Sequence, residues 1–248
     1  MAESQMKRYI VVSTNNNPDY YFYLPYIEKA WNSYGWDLVV MITDDVDVST
    51  LKTNNPNTLI CRLPNIEGVR KESIAQAGRL YAANYLIGNN LIMTSDMDLL
   101  PLSNYWNPDV FNVTVYGHDL TDFTYYPMGY TAMRAEDWRH FMKLTNDTKA
   151  DLERDCNEYA YMVKSDEWEQ WWNFDWRMLT DRLTNAVIVH KHRGRQANGF
   201  AYGRVDRGNS MQMIEGELID AHCENHNVQH PDKLNKFISL FESVHGKL

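Results

Sequence analysis

The chain has 248 residues, 44% of them apolar, which is enough to bury a substantial core. Its 33 acidic side chains outnumber 24 basic ones, for a formal net charge of -9, and this excludes the clustered Lys and Arg of a nucleic-acid footprint. The same balance is compatible with a bound nucleotide whose charge a divalent cation neutralises, because carboxylates that hold such a cation add to the negative count.

Cys61, Cys156 and Cys223 are scattered and odd in number, so they read as buried thiols rather than as a disulfide framework or a metal cluster. The amino terminus offers only a short apolar run, Tyr9-Ile10-Val11-Val12, with no signal peptide or membrane span, and a cytosolic protein is expected. The acceptor patterns at Asn112 and Asn146 are then coincidental.

Residues 9–13 (YIVVS) predict a buried strand, followed by the polar loop Thr14-Asn15-Asn16-Asn17-Pro18. Tyr23, Ile27, Ala30 and Trp31 share one face of a helix that ends near Gly35. Strands follow at residues 38–43 (LVVMIT) and 58–62 (TLICR). Ile74, Ala77, Leu80, Tyr81 and Tyr85 predict one helix from about Lys71 to Ile87, stopped by Gly88-Asn89-Asn90. Residues 91–95 (LIMTS) form another buried strand, with Asp96-Met97-Asp98 at its carboxyl end. Beyond it, strands are expected at 113–117, 129–133 and 186–190, and helices at Glu136–Leu144, 174–183 and Pro231–Val244. The mixed-charge stretch 146–165 reads as helix or mobile loop. Alternating strands and helices predict an α/β fold with a central, mostly parallel mixed sheet flanked by helices.

The acidic triplet carries the chemistry. Two aspartates one residue apart, where an apolar strand leaves the core, can aim together at one cation. Oxygen donors of this kind suit hard cations such as Mg²⁺ or Mn²⁺, which commonly also hold substrate phosphates. An Asp-x-Asp pair alone is as compatible with a turn after a strand. The buried strand before it, Leu99-Leu100-Pro101 after it, and the preceding helix with Gln76 and Arg79 favour a metal site.

The segments YIVVSTNNNPDYY, AQAGRLYAANYL, LIMTSDMDLLPL, YPMGYTAMRAEDW, NFDWRML, GRVDRGN and LIDAHCEN run in order from Tyr9 to Asn225. In pattern and order the chain resembles the small virus- and phage-encoded GT-A glycosyltransferases, most of all the amino-terminal glycosyltransferase domain of chlorella viruses. The resemblance implies a single Rossmann-like GT-A domain over residues 1–248, with a nucleotide-binding half (about 9–100), an acceptor and sugar half (about 101–230) and a carboxyl-terminal helix (231–248).

It further implies a UDP-sugar donor, a glycan or other hydroxyl acceptor, and Mn²⁺ or Mg²⁺. Ser13 and Thr14 would lie near the nucleotide, Asp44 and Asp45 near base or ribose, and Arg70 and Arg79 near ribose or diphosphate. Asp96 would face the ribose side and take part in the metal site, Asp98 would be the more direct metal ligand, and His222 would complete the set. His190, His192 and His226 are less well placed for that role.

Inverting transfer needs a base for the acceptor hydroxyl, and Asp175, at the start of a helix, fits that role; a helix-capping Asp is the competing reading. Among Trp168, Trp171, Trp172 and Trp176, Trp172 is the expected sugar contact and core packing accounts for others. His118, Asp119 and Tyr126 are expected along the sugar pocket, and Arg204 and Arg207 in a loop closing over the diphosphate. A sugar nucleotidylyltransferase would share the sheet and metal logic, but the loop after the first strand has no glycine. A non-catalytic sugar-binding protein would fit the tryptophans and leave the paired aspartates without a task.

Overall fold

The computed structural model describes residues 6–116, 126, 128–191, 204–205, 219–223 and 231–248, with only the backbone of residues 190, 191, 204, 205, 231 and 233. Strand β1 (Lys7–Thr14) sits inside a seven-stranded sheet, and its side chains alternate between two cores. Tyr9 and Val11 enter one, Ile10 and Val12 the other, as the two-residue period of a strand dictates. The polar loop after β1 holds helix α1 (Pro18–Tyr21), capped by the Asn17 side chain.

Helix α2 (Leu24–Ser33) buries Leu24, Ile27, Ala30 and Trp31 and stops at Gly35. Gly35 takes φ 77°, and the N–H groups of Gly35 and Trp36 donate to Asn32 and Trp31 carbonyls at 3.0 and 3.1 Å. This left-handed turn closes the helix in a way that favours glycine. Strands β2 (Asp37–Ile42) and β3 (Leu59–Arg62) add in parallel on one side of β1.

The expected single helix from Lys71 to Ile87 is instead two pieces, α3 (Lys71–Gly78) and a 3₁₀ segment (Arg79–Asn84). Gly78 stands at the junction, where an added Cβ would come within 2.4 Å of Leu63 Cδ1 and 3.5 Å of Met41 Cβ. The missing side chain lets the backbone press onto Leu63 at the end of β3, and glycine is a poor residue for continuing an α-helix. Strand β4 (Asn90–Thr94) then pairs in parallel with the other side of β1.

Short strand β5 (Leu99–Pro101) leaves the main sheet. Strands β6 (Val113–Tyr116) and β7 (Thr131–Arg134) return to it, with β7 antiparallel to both β4 and β6. Helix α4 (Ala135–Phe141) follows directly. The mixed-charge stretch 146–165 contains α5 (Thr148–Glu158), whose first N–H groups donate to the Asp147 side chain, and α6 (Ala160–Val163). Helices α7 (Trp168–Trp172) and α8 (Phe174–Arg182) lead to β8 (Ile188–Lys191), parallel to β6. The main sheet has the order β3-β2-β1-β4-β7-β6-β8, mixed and mostly parallel as expected.

Two short strands that the sequence reading did not anticipate, β9 (Arg204–Val205) and β10 (Asp220–His222), join β5 in a second sheet of order β5-β10-β9. Helix α9 (Pro231–His245) buries Phe237 and Phe241 against α2, with Tyr26 ring centroids 5.0 and 5.1 Å from theirs. Among the described residues no helix is long and apolar enough to cross a membrane. Cys61, Cys156 and Cys223 are buried thiols that form no disulfide, and burial pushes the Cys61 and Cys156 thiols up to about 11 and 12.

Candidate active site

Strand β1 has β2 on one side and β4 on the other: the chain leaves β1 toward β2 on one side, and after β3 it crosses to β4 on the other. A crevice opens at such a switch point, where ligands of open α/β sheets are usually held. Here it is a cavity of about 460 Å³. Ser13, Thr14, Asn15 and Asn17 line it from the end of β1, Glu72, Gln76 and Arg79 from α3 and the 3₁₀ segment, and Asp96, Met97 and Asp98 from the turn after β4. Trp172, Asp175 and Trp176 close a further side from α7 and α8, and His222 reaches in from β10.

The turn holding the aspartates is fixed at both ends. Ser95 N–H continues the β1 ladder by donating to Val11 O at 2.8 Å, and Leu99 N–H donates to Asp96 O at 3.2 Å. The small sheet then brings His222 opposite Leu99 in antiparallel register. Cys223 N–H donates to Asp98 O at 2.7 Å, so two segments over a hundred residues apart are joined at the acidic turn.

As a result His222 Nε2 lies 3.4 Å from Asp98 Oδ2, with Asp98 only 4% exposed. Two neighbouring ligands on one octahedral cation, each about 2.1 Å from it, sit roughly 3 Å apart, so this separation is compatible with a shared hard cation. Among the described residues no three His, Cys, Asp or Glu side chains converge as a ready-made metal cluster, because Asp96 is drawn toward Arg79. A carboxylate and an imidazole are nevertheless a sufficient protein share for a cation that takes its remaining ligands from substrate phosphates and water.

Arg79 is the buried centre of the site. It is 5% exposed, and its guanidinium donates to Asp96 Oδ1, to Ser95 O at 3.0 Å and to Asp175 Oδ2 at 2.9 Å. Burial alone would lower its pKa; the charges of Asp96 and Asp175 outweigh that and raise it, so Arg79 stays protonated.

Asp175 is 1% exposed and its carboxyl is pushed up to about 6, chiefly by burial, with Arg79 opposing and Asp96 adding to the rise. Its other oxygen accepts the Trp176 N–H at 2.9 Å. Gly129 backs the pair from β7's side. A Cβ there would lie 2.8 Å from Leu99 Cδ1 and 3.1 Å from Asp96 Oδ2, so a larger residue would press on both side chains.

Several residues singled out from the sequence lie elsewhere. Asp44 and Asp45 are paired with Lys71 at 3.0 and 3.4 Å and do not line this cavity; Asp44 instead edges a shallow groove with Arg62 and Lys149. Arg70 turns away, toward Asp166 at 3.6 Å and over the ring of Trp171 at 5.3 Å. Tyr126 donates its N–H to Thr180 Oγ1 at 2.7 Å and packs on the core. His118, Asp119, His192, Arg207 and His226 lie outside the described residues, as do the side chains of His190 and Arg204. Conversely Tyr20, Glu72 and Ala75 line the cavity without any sequence signal that marked them. Their contribution depends on how α1 and α3 are set on the sheet.

The sequence matches no protein-family model and no curated relative. Solved structures do match. One is an active-site mutant of LgtC, with TM-score 0.56 and 13% identity over 95% of this chain and 96% of that one. Another is the galactosyltransferase LgtC in complex with donor and acceptor sugar analogs, with TM-score 0.55 and 12% identity over the same shares. This chain therefore has the α/β GT-A fold, a mostly parallel mixed sheet of seven strands flanked by helices. The likeness extends to the fold and not to the narrower virus-encoded group that the sequence resembles.

Proposed function

We propose that the chain is a glycosyltransferase that moves a sugar from a nucleotide-diphosphate donor, a UDP-sugar, to a hydroxyl of a glycan or other acceptor. The observation that carries this reading is the Asp98–His222 pair at the switch point of the sheet, beside the buried Arg79–Asp175 ion pair. LgtC, which shares the fold, was crystallised with donor and acceptor sugar analogs.

On this reading Ser13 and Thr14 border the nucleotide, residues 9–100 form the donor half, residues 101–230 the acceptor half, and 231–248 a buttressing helix. Asp98 and His222, with Asp96 beside them, would hold Mn²⁺ or Mg²⁺. When bound, the cation supplies Lewis acidity toward the leaving diphosphate. Arg79 keeps a fixed positive charge under the same region and sets the direction of Asp96.

In the transfer, the bond from the sugar's anomeric carbon to the diphosphate oxygen breaks and its electron pair leaves with the diphosphate. The acceptor oxygen bonds to that carbon and gives up its proton. Asp175, with its carboxyl near 6, is the base that takes it, with inversion at the anomeric carbon. A second reading is favoured by the hydrogen bonds already made by both Asp175 oxygens. There Asp175 acts as a fixed anion that holds Arg79 and stabilises positive charge on the sugar, the acceptor proton passes to the departing diphosphate oxygen, and the anomeric configuration is retained. Proton NMR of the first-formed product separates the two.

The reading is tested by screening nucleotide sugars for metal-dependent hydrolysis. Release of UDP from one donor, abolished by EDTA and restored by Mn²⁺, is expected; no hydrolysis of any donor together with no UDP binding would overturn it. A nucleotidylyltransferase would instead form nucleotide sugar from sugar phosphate and UTP.

A further inference from the structure

Helix α7 carries aromatic rings outward from the cavity. Trp172 lines the cavity itself. Trp168, one helical turn earlier, stacks on it with centroids 5.4 Å apart and planes 20° from parallel, and is 56% exposed. What sets Trp168 apart from other exposed apolar residues is its stacking on a ring that lines the cavity, which leaves a flat indole face open to solvent next to the site. Trp171 braces the helix from behind, edge-on to Trp172 at 5.8 Å and under the Arg70 guanidinium. The rings thus form a held platform.

The polar rim of the platform is acidic and amide in character. Asp166, Glu167 and Glu169 are exposed, and Gln170 Nε2 donates to Glu167 Oε2 at 2.6 Å. Flat aromatic faces meet the C–H faces of pyranose rings, while carboxylates and amides accept and donate to sugar hydroxyls. Arg70, paired with Asp166, is one cation against three carboxylates, and this acidic balance opposes an anionic lipid surface.

Building on the glycosyl-transfer reading, we propose that the acceptor is an oligosaccharide. Its reacting sugar enters the cavity beside Trp172, and the preceding sugar rests on the outer face of Trp168. Trp168 lies one helical turn beyond the cavity-lining Trp172, so only a ligand of several linked rings would reach both.

The test uses the full chain with Mn²⁺ and UDP. Gluco-, cello- and chito-oligosaccharides of one to six units are titrated and tryptophan fluorescence is followed. At least one series is expected to tighten about tenfold from monosaccharide to trisaccharide. Trp168→Ala should remove that gain, and Trp168→Tyr, which keeps a flat ring, should retain most of it. UDP titration of each variant verifies that it is folded.

The proposal is overturned if no series tightens with length, if Trp168→Ala keeps the full gain, or if phosphatidylglycerol vesicles and not glycans bind in a Trp168-dependent manner. Failure of UDP to bind the wild-type chain would instead overturn the underlying transferase reading.

Discussion

Arg79 stays charged in a nearly water-free setting because Asp96 and Asp175 face it from two sides. Removing one partner of such a buried arrangement typically costs about 3–5 kcal/mol, since the remaining charge has no water to return to. Arg79→Met is therefore expected to lower unfolding stability by that order in urea titrations and to abolish transfer.

Asp175 also sets a pH dependence. Its folded carboxyl, at about 6, lies above the ordinary 3.8 because burial disfavours the charged form. Its contribution to stability is thus fully present below the unfolded value and is lost as pH rises through about 6. Activity runs the opposite way: as a base Asp175 must be ionised, so kcat/KM should rise with pH through about 6 and level off. Asp175→Asn should lose transfer by roughly 10²–10⁴-fold and keep metal-dependent UDP binding. Wild-type turnover by that variant would reject the role. Gly129→Ala should weaken UDP binding measured with Mn²⁺, because its Cβ crowds the Asp96 carboxylate; unaltered affinity would show that the Leu99 and Asp96 side chains yield to the added methyl.

At the scale of elements, the site depends on how α8 is anchored. Arg182, at its last turn, donates to Asp155 of α5 at 2.9 Å, and Asp155 also accepts from Arg154 at 2.8 Å and from the Tyr81 hydroxyl at 2.8 Å. Asp155 is fully buried, so Asp155→Ala should destabilise by about 1–3 kcal/mol in a urea melt, because the Tyr81 hydroxyl loses its acceptor while Arg182 keeps only Glu158, at 2.6 Å. The long apolar strands β1, β2 and β4 were legible as runs of Val, Ile, Leu and Met, and α2 and α9 as one-sided apolar patterns. The short strands β5, β9 and β10 were not, since two or three residues carry no periodicity and their pairing is set across the whole chain. His222 stood out only through resemblance; the register with Leu99 is what brings it to Asp98. Arg70 and Arg79 were both expected near the ribose or diphosphate; Arg79 follows directly where α3 passes into the 3₁₀ segment at Gly78, and its guanidinium reaches Asp96, whereas Arg70 precedes α3 and pairs with Asp166.

Across the whole molecule, one sheet positions every part of the site. Parallel strands on both sides of β1 open the crevice, and α3 and α8 wall it from one core. The small sheet on the other core supplies the histidine. The claim on which the functional reading turns is that Asp98 and His222 hold a cation that in turn holds a nucleotide diphosphate. Isothermal titration of UDP into the wild-type chain, with Mn²⁺ and then with EDTA, addresses it directly. At least a hundredfold tighter binding with Mn²⁺ is predicted, a gain that Asp98→Ala eliminates. Equal UDP affinity with and without the metal would contradict it.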